Sequence, residues 1–322
     1  MNKILIIHTG GTISMLENQK TGEVNSTKEH PLANISAEHS NIQAEIQERI
    51  LLDLPSPQIT PQHMLLIAKE IEKEIPNYDS VIITHGTDTL EETAFFLDLV
   101  VKTNKPIILT GAMRSSNEIG SDALYNLLSS IRVAIHDEAK EKGVLIVMND
   151  EIHTAENVTK TSTSNIATFQ SPQYGPIGMV TKEKIIFHRT RLSRRTMEVA
   201  NITGNVFLLK AYAGMNETLL NAVHQAKPDG LVIEALGQGN LPKETVQPLR
   251  NIVEDNIPVV LVSRCFKGNV QPTYGYDGGG RQLNNIGLIF ADGLSGQKAR
   301  IKLLIALEKT KNIEALKNIF SS

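Results

Sequence analysis

The sequence predicts an α/β protein of two domains, a larger N-terminal doubly wound, mostly parallel sheet and a smaller C-terminal α/β domain. Short apolar runs rich in β-branched residues alternate with segments of helical period through most of the 322 residues, the pattern of parallel strands joined by crossover helices. The alternation breaks at a polar, basic stretch near 189–195 and then restarts. Two of the early strands end alike, in glycine turns that hand over a threonine: Gly10-Gly11-Thr12 and Gly86-Thr87-Asp88.

The run 4–7 reads as a buried strand, and the glycine pair turns sharply to deliver Thr12 to its C-terminal end. That edge of an open parallel sheet is where ligands sit. Alone, the glycines need serve only backbone geometry; a second turn of the same kind suggests one site built twice. Residues 17–34 are polar, with Thr21-Gly22 and His30-Pro31 turn signals and no period, and are expected to form a lid beside Thr12. Thr60 followed by Pro61 is an N-cap with proline at the first helical position. The helix it opens carries Met64, Leu65, Ile67, Ala68 and Ile71 on one face and stops before Pro76.

A strand at 81–85 runs into a helix at 88–101, with Leu90, Ala94, Leu97 and Val101 at helical spacing. Glu91 and Glu92 fall in its first turn, where the dipole favours acids. Strand 107–110, helix 119–136 and strand 144–148 come next. Residues 149–178, rich in Ser, Thr and Asn, read as an extended, hairpin-like excursion crossing near the strand ends before 178–187. The domains are set at 1–188 and 205–322, with 189–204 as linker; Arg189, Arg191, Arg194 and Arg195 read equally as a solvated face or as anion contacts between subunits. The second domain has strands at 206–209, 231–235 and 259–263 and helices at 217–225, 242–255 and 297–309.

Composition narrows the function. A net charge of -3 without long like-charge blocks gives no reason to expect nucleic acid or an anionic membrane, which leaves a small-molecule substrate. The one cysteine, Cys265, excludes an intramolecular disulfide and, at the end of an apolar strand, is expected to be a buried structural thiol. No run approaches the eighteen or so apolar residues of a membrane span. The first strand begins close to Met1, leaving no room for a signal peptide, so a cytoplasmic protein is expected. The nine histidines show no ligand spacing, so His8 and His85 read as satisfied strand-end residues, and Gly278-Gly279-Gly280 lacks the lysine of a phosphate loop. Neither metal nor cofactor is expected.

Thr9-Gly10-Gly11-Thr12-Ile13 and Thr84-His85-Gly86-Thr87-Asp88-Thr89-Leu90-Glu91-Glu92 together resemble the paired signatures of bacterial L-asparaginases, threonine amidohydrolases that convert asparagine to aspartate and ammonia. Gly111-Ala112-Met113-Arg114, Asp150 with Val158-Thr159-Lys160-Thr161, Gly237-Gln238-Gly239-Asn240-Leu241 and Gly296-Gln297-Lys298-Ala299-Arg300 are also similar, so the resemblance spans essentially the whole chain and is closest to the cytoplasmic type I form. It implies a homotetramer of two intimate dimers, in which the C-terminal domain of one subunit completes the partner's site.

By that resemblance Thr12 is the nucleophile, and Thr87, Asp88 and Lys160 form a second catalytic group. Amide hydrolysis needs a nucleophile, a proton acceptor and donors for the oxyanion. A lysine beside hydroxyls and a carboxylate can polarise one of them; alone, Lys160 reads as a solvated loop residue. Asp88 also holds the substrate's α-ammonium by resemblance, where the bland reading is a first-turn acid. Backbone N–H groups around Thr87 suit an anion. Ser56 matches the substrate-carboxylate serine and Asn240 the residue lent across the dimer; otherwise both read as turn or cap residues.

Three departures bear on Thr12. No tyrosine lies between Thr12 and Ser56, where the family has one in its lid; Pro57 replaces a glutamine; and the partner's acid falls near Gly280, with Asp277 the nearest carboxylate. Tyr274 or Tyr276, beside Asp277, is therefore expected to supply the missing hydroxyl across the dimer. Competing readings are a mixed glutaminase-asparaginase, the amidase subunit of a transamidation complex, against which stands the absence of an N-terminal accessory domain, and an amino-acid-binding sensor that has lost its chemistry.

Overall fold

Isoleucine-rich runs become the middle of a sheet. In a computed structural model describing residues 1–26, 31–32, 44–190 and 194–321, the chain divides into two units, Met1–Glu198 and Val199–Ser322. The first unit carries, in chain order, β1 (Asn2–His8), β2 (Met15–Glu17), β3 (Val24–Ser26), β4 (Ala44–Ile50), α1 (Pro61–Glu74), β5 (Ser80–Thr84) and α2 (Leu90–Val100). Next come β6 (Ile107–Thr110), α3 (Ala123–Ala134), β7 (Val144–Met148), β8 (Glu151–Thr154), β9 (Thr159–Lys160), β10 (Phe169–Gln170), β11 (Gly178–Val180) and β12 (Ile185–Phe187).

Among the described residues the main sheet runs β12-β11-β8-β7-β6-β5-β1-β4. It is parallel from β4 to β7 and antiparallel beyond. The change of sense comes from Asn149 and Asp150, both left-handed with φ 49 and 66, which fold β7 directly back on β8 in a tight hairpin turn. Ile4, Ile6, Ile82, Ile108 and Leu145 pack with Leu127 and Ile131 of α3 on one face. Leu5, Ile7, Ile83 and Leu109 point the other way and are just as buried, with α2 against β6 and β7. Two covered faces are why these strands read as unbroken apolar runs.

Helix α1 starts as expected: Thr60 Oγ1 accepts from the His63 N–H, and the Thr60 N–H donates to His63 Nδ1, a capping box with Pro61 behind it. Helix α2 is buried on nearly every side and carries a fully buried Asp98 in its last turn. That carboxylate takes the Val144 N–H at 3.0 Å and Arg194 Nε at 3.1 Å. Arg194 also donates to the carbonyls of Asp98, Val101 and Thr103, a cation where the helix dipole favours one. Arg194 in the basic stretch is thus tied within the first unit; Arg191, Leu192 and Ser193 lie outside the described residues.

Some expectations shift. The first part of the polar segment 17–34 is not periodless: β2 and β3 pair antiparallel around the Thr21-Gly22 turn, Gly22 having φ 73. Residues 27–30 and 33–34 of that lid lie outside the described residues. The helix expected at 119–136 begins later, because Asp122 turns its carboxylate onto the N–H groups of Met113 and Arg114 and Ile119 is exposed.

The second unit contains β13 (Val206–Lys210), α4 (Thr218–Ala226), β14 (Gly230–Ala235), α5 (Val246–Glu254), β15 (Val259–Ser263), α6 (Gly280–Asn285), β16 (Ile289–Phe290), α7 (Gly296–Leu307) and α8 (Ile313–Phe320). Its strands form a parallel sheet in sequence order. Leu220, Val223, Leu249, Ile252 and Leu283 join one core with Leu231, Ile233 and Leu261, and α7 packs along β13, β14 and β15. Cys265 corrects an expectation: it is exposed, not buried. β15 ends at Ser263, so the cysteine sits past the strand in a loop where its N–H donates to Ser263 Oγ. Among the described residues no helix is long and apolar enough to cross a membrane.

Candidate active site

β1 and β5 are parallel neighbours with His8 opposite Thr84, so the turns after them leave the same sheet edge side by side. Glycine sets how closely they approach. Gly11 has φ 83, and a Cβ there would lie 2.2 Å from the Gly86 Cα; one on Gly86 would lie 2.7 Å from the Ser56 Cβ. Only bare backbone fits at this crossing. Thr9 secures it: its hydroxyl and its N–H both donate to the Thr84 carbonyl, at 2.8 and 3.1 Å.

The strand-end histidines are braces. His8 Nδ1 lies 2.9 Å from Thr84 Oγ1 and Nε2 lies 3.4 Å from Glu48 Oε2. His85 is fully buried, with Nδ1 2.8 Å from the Gly86 carbonyl and Nε2 2.9 Å from Thr93 Oγ1. A carbonyl only accepts, so Nδ1 carries the proton and Nε2 takes the threonine's. Desolvation by burial lowers its pKa to about 4, against the raising effect of the Gly86 carbonyl bond.

Beyond them the second turn becomes polar and tightly bonded. Lys160 reaches it from the β9–β10 hairpin, its Nζ 2.9 Å from Thr87 Oγ1 and 2.6 Å from Asp88 Oδ1. Thr87 is buried and the lysine nearly so, whereas Asp88 is open to solvent. Ser56 is buried beside them in the turn before α1; its Oγ accepts the Asp88 N–H at 3.1 Å, and its carbonyl accepts from Thr89 Oγ1 at 2.8 Å. Thr12 opens the short turn Thr12–Ser14 and is half-buried. Among the described residues its hydroxyl has no hydrogen-bond partner. The structure therefore brings Thr87, Asp88, Lys160 and Ser56 into one bonded group, with Thr12 on the turn that crosses it at Gly11 and Gly86.

The sequence reading missed Glu91 as more than a first-turn acid. Its Oε1 accepts from Thr159 Oγ1 at 3.1 Å and from the Lys160 N–H at 3.3 Å. The signal was its place beside Leu90 and Ala94 on a helix buried all round.

In the second unit, Asn240 Oδ1 accepts the Gly280 N–H at 3.1 Å, and the Leu241 N–H donates to the Gly278 carbonyl at 2.9 Å. This folds the triple-glycine turn onto the 237–241 loop after β14. Tyr274 and Tyr276 stand exposed beside it, ring centroids 5.6 Å apart, and Asp277 is exposed with Oδ1 3.4 Å from Gln282 Nε2. These four residues thus share one loop cluster. Among the described residues no group of His, Cys, Asp or Glu is arranged to hold a metal ion.

Comparison with known proteins covers both units. Residues 3–193 match the family described as asparaginase, N-terminal, and residues 205–320 the glutaminase/asparaginase C-terminal domain. The chain is 36% identical to a probable L-asparaginase of Deinococcus radiodurans over 99% of its own length and 97% of that protein's. It is 32% identical to L-asparaginase 2 of Escherichia coli, covering 99% and 92% of the two chains. Against a probable periplasmic L-asparaginase of Haemophilus influenzae it is 34% identical, covering 98% and 92%.

Proposed function

The chain belongs to the asparaginase family, and from that premise we propose that it is an amidohydrolase that converts L-asparagine to L-aspartate and ammonia. Lys160 Nζ, within hydrogen-bond reach of both Thr87 Oγ1 and Asp88 Oδ1, is the observation that carries the reading. Thr12 attacks the side-chain carbonyl; the hydroxyl proton passes to a neighbouring base, and the carbonyl oxygen becomes the oxyanion. The base returns that proton to the amide nitrogen as the C–N bond breaks, so ammonia leaves and an acyl-threonine remains. Water then attacks the acyl carbon; Thr87, polarised by the Lys160 ammonium and oriented with it by Asp88, relays the water's proton toward the Thr12 oxygen as the ester bond breaks, which releases aspartate and restores Thr12. Asp88 also binds the α-ammonium and Ser56 the α-carboxylate.

Within the same proposal, 1–188 is the catalytic domain, 189–204 a linker, and 205–322 the domain that reaches a neighbour in a homotetramer of two dimers. Asn240 is lent to the partner's site, and Tyr274 or Tyr276, with Asp277 nearby, supplies the hydroxyl that the lid lacks. Replacing each tyrosine by phenylalanine, singly and together, is expected to lower kcat; unchanged turnover in the double variant removes the pair from the mechanism. Sedimentation that finds a monomer under assay conditions removes the lent residues. Location in the cytoplasm agrees with the single exposed, unpaired cysteine; fractionation with periplasmic markers would overturn it.

The C-terminal family match, which names glutaminase beside asparaginase, favours a second reading in which glutamine is also a substrate. Ammonia release measured with both amino acids over a range of concentrations decides between them. No release from either would sink the proposal and leave a binding protein, in which case aspartate should still bind.

A further inference from the structure

Taking Lys160 as a working member of the site, a reading on which this step rests, we infer that Glu91 is a positioning residue that fixes Lys160 from its backbone end. β9 and β10 are two residues each and pair with one another, not with the main sheet, among the described residues. So short a ladder is marginal as a clamp, yet Lys160 must deliver an ammonium to two oxygens at 2.9 and 2.6 Å. Other bonds brace the far strand and the tip of the hairpin. Ser171 Oγ lies 2.9 Å from His153 Nδ1, and the Thr161 N–H donates to the Thr168 carbonyl at 2.8 Å. Glu91 supplies a bond to Lys160 itself.

Glu91 is 5% exposed, a burial whose desolvation cost only donors to its carboxylate can offset. Two of the donors are the Thr159 hydroxyl and the Lys160 N–H. The turn after β5 and the first turn of α2 therefore grip Lys160 at both ends: Thr87 and Asp88 hold the ammonium, and Glu91, three residues after Asp88, holds the backbone. The adjacent Glu92 is half-exposed, as an ordinary first-turn acid is.

The test compares E91A and E91Q, each alone and combined with K160M, by steady-state ammonia release and by the rate at which Lys160 is acylated by an amine-reactive reagent. Peptide mass spectrometry reads the labelling, with the two-thirds-exposed Lys73 as internal reference. E91A is expected to lower kcat by about a hundredfold with a smaller change in KM, the cost of a misplaced group. E91Q keeps an oxygen for the same two bonds and should stay within about fivefold of the parent, since neutral bonds replace charge-assisted ones. In the K160M background E91A should cost nothing further in turnover, and Lys160 should label several-fold faster in E91A than in the parent.

An equal loss of kcat with and without Lys160 overturns the inference, as does unchanged labelling. If E91A does not fold, T159V removes one donor and should shift labelling the same way by less; no shift there is equally fatal. Should K160M itself retain full turnover, the catalytic role of Lys160 fails, while the labelling still decides whether Glu91 holds it.

Discussion

The turns after β1 and β5 are built alike and end in different states. Each succeeds a buried parallel strand, each uses a glycine at the crossing, and each delivers a threonine to the same sheet edge. Yet the Thr87 hydroxyl is bonded to Lys160, whereas the Thr12 hydroxyl has no partner among the described residues. The difference lies in the element that each turn leads into. After Thr87 the chain passes through Asp88, bonded to Ser56 and Lys160, into α2, whose first turn anchors Glu91 to β9. After Thr12 comes only a three-residue turn and the β2–β3 hairpin. The approach to a helix ties one hydroxyl down, and a short turn leaves the other without a partner among the described residues, the division of labour that the proposed mechanism uses.

The comparison breaks most directly at the hydroxyls themselves. Thr12→Ala and Thr87→Val should each lower kcat by about a thousandfold or more, as removal of a nucleophile or of its proton relay does, with the thermal transition little changed. The two variants should still differ. Thr12→Ala should form no acyl-enzyme, while Thr87→Val should accumulate one that a quench and mass spectrometry detect. Near-parent turnover in either removes that threonine from the mechanism.

The crossing of the two backbones comes next in size. Gly11→Ala places a Cβ against Gly86 at a positive φ, so one turn must move. The expected loss is about 3 kcal/mol or more, read as a lower urea midpoint for the first unit together with lost activity. Gly86→Ala, which meets Ser56, should behave similarly. A stable and active Gly11→Ala would mean that the turns need not touch.

A smaller, pH-dependent effect belongs to the second turn alone. His85 is held neutral, with a pKa lowered to about 4 by burial, against an ordinary value near 6.5 in the unfolded chain. Between these values the unfolded state binds the extra proton, so stability is complete above pH of about 6.5 and falls as the pH drops toward 4. The integrated loss is on the order of 3 kcal/mol for a shift of this size. Urea midpoints of the parent against His85→Gln from pH 8 to 4 should show the parent's fall to be steeper. Parallel curves would mean that the ring is not held neutral.

Legibility in the sequence divides along the same line, between local and long-range bonds. Runs such as Ile4 to Ile7 declare themselves because both faces of the central strands are buried, and Thr60-Pro61 declares its helix because capping chemistry is local. β4 did not: as an edge strand it sets Ala44 and Ile46 between exposed Glu45 and Gln47, ends in half-buried Glu48 and Arg49 and exposed Ile50, and carries little apolar signal. The Asn149-Asp150 hairpin was legible only as polar irregularity, since its left-handed backbone has no hydrophobic period. At the site, the threonines were visible as a repeated turn. The bond from Lys160 to Thr87 joins residues 73 apart in the chain, and no local pattern encodes it. Glu91 was misjudged because a first-turn acid satisfies a local rule and needs no further explanation.

Ser56 gives the finest distinction between the turns. Its Oγ accepts the Asp88 N–H at 3.1 Å, and an oxygen used as an acceptor keeps its own proton to give. The same hydroxyl can therefore hold the second turn and donate to a substrate carboxylate. Ser56→Ala removes both bonds. The unpaired Asp88 N–H should cost about 1 kcal/mol of stability, and the lost substrate bond should raise KM for asparagine about tenfold. Because the carboxylate is bound in ground state and transition state alike, kcat should change much less than KM. A variant that loses stability at unchanged KM would leave Ser56 as a brace for the Thr87 turn, and the carboxylate would need another donor on the Thr12 side of the crossing.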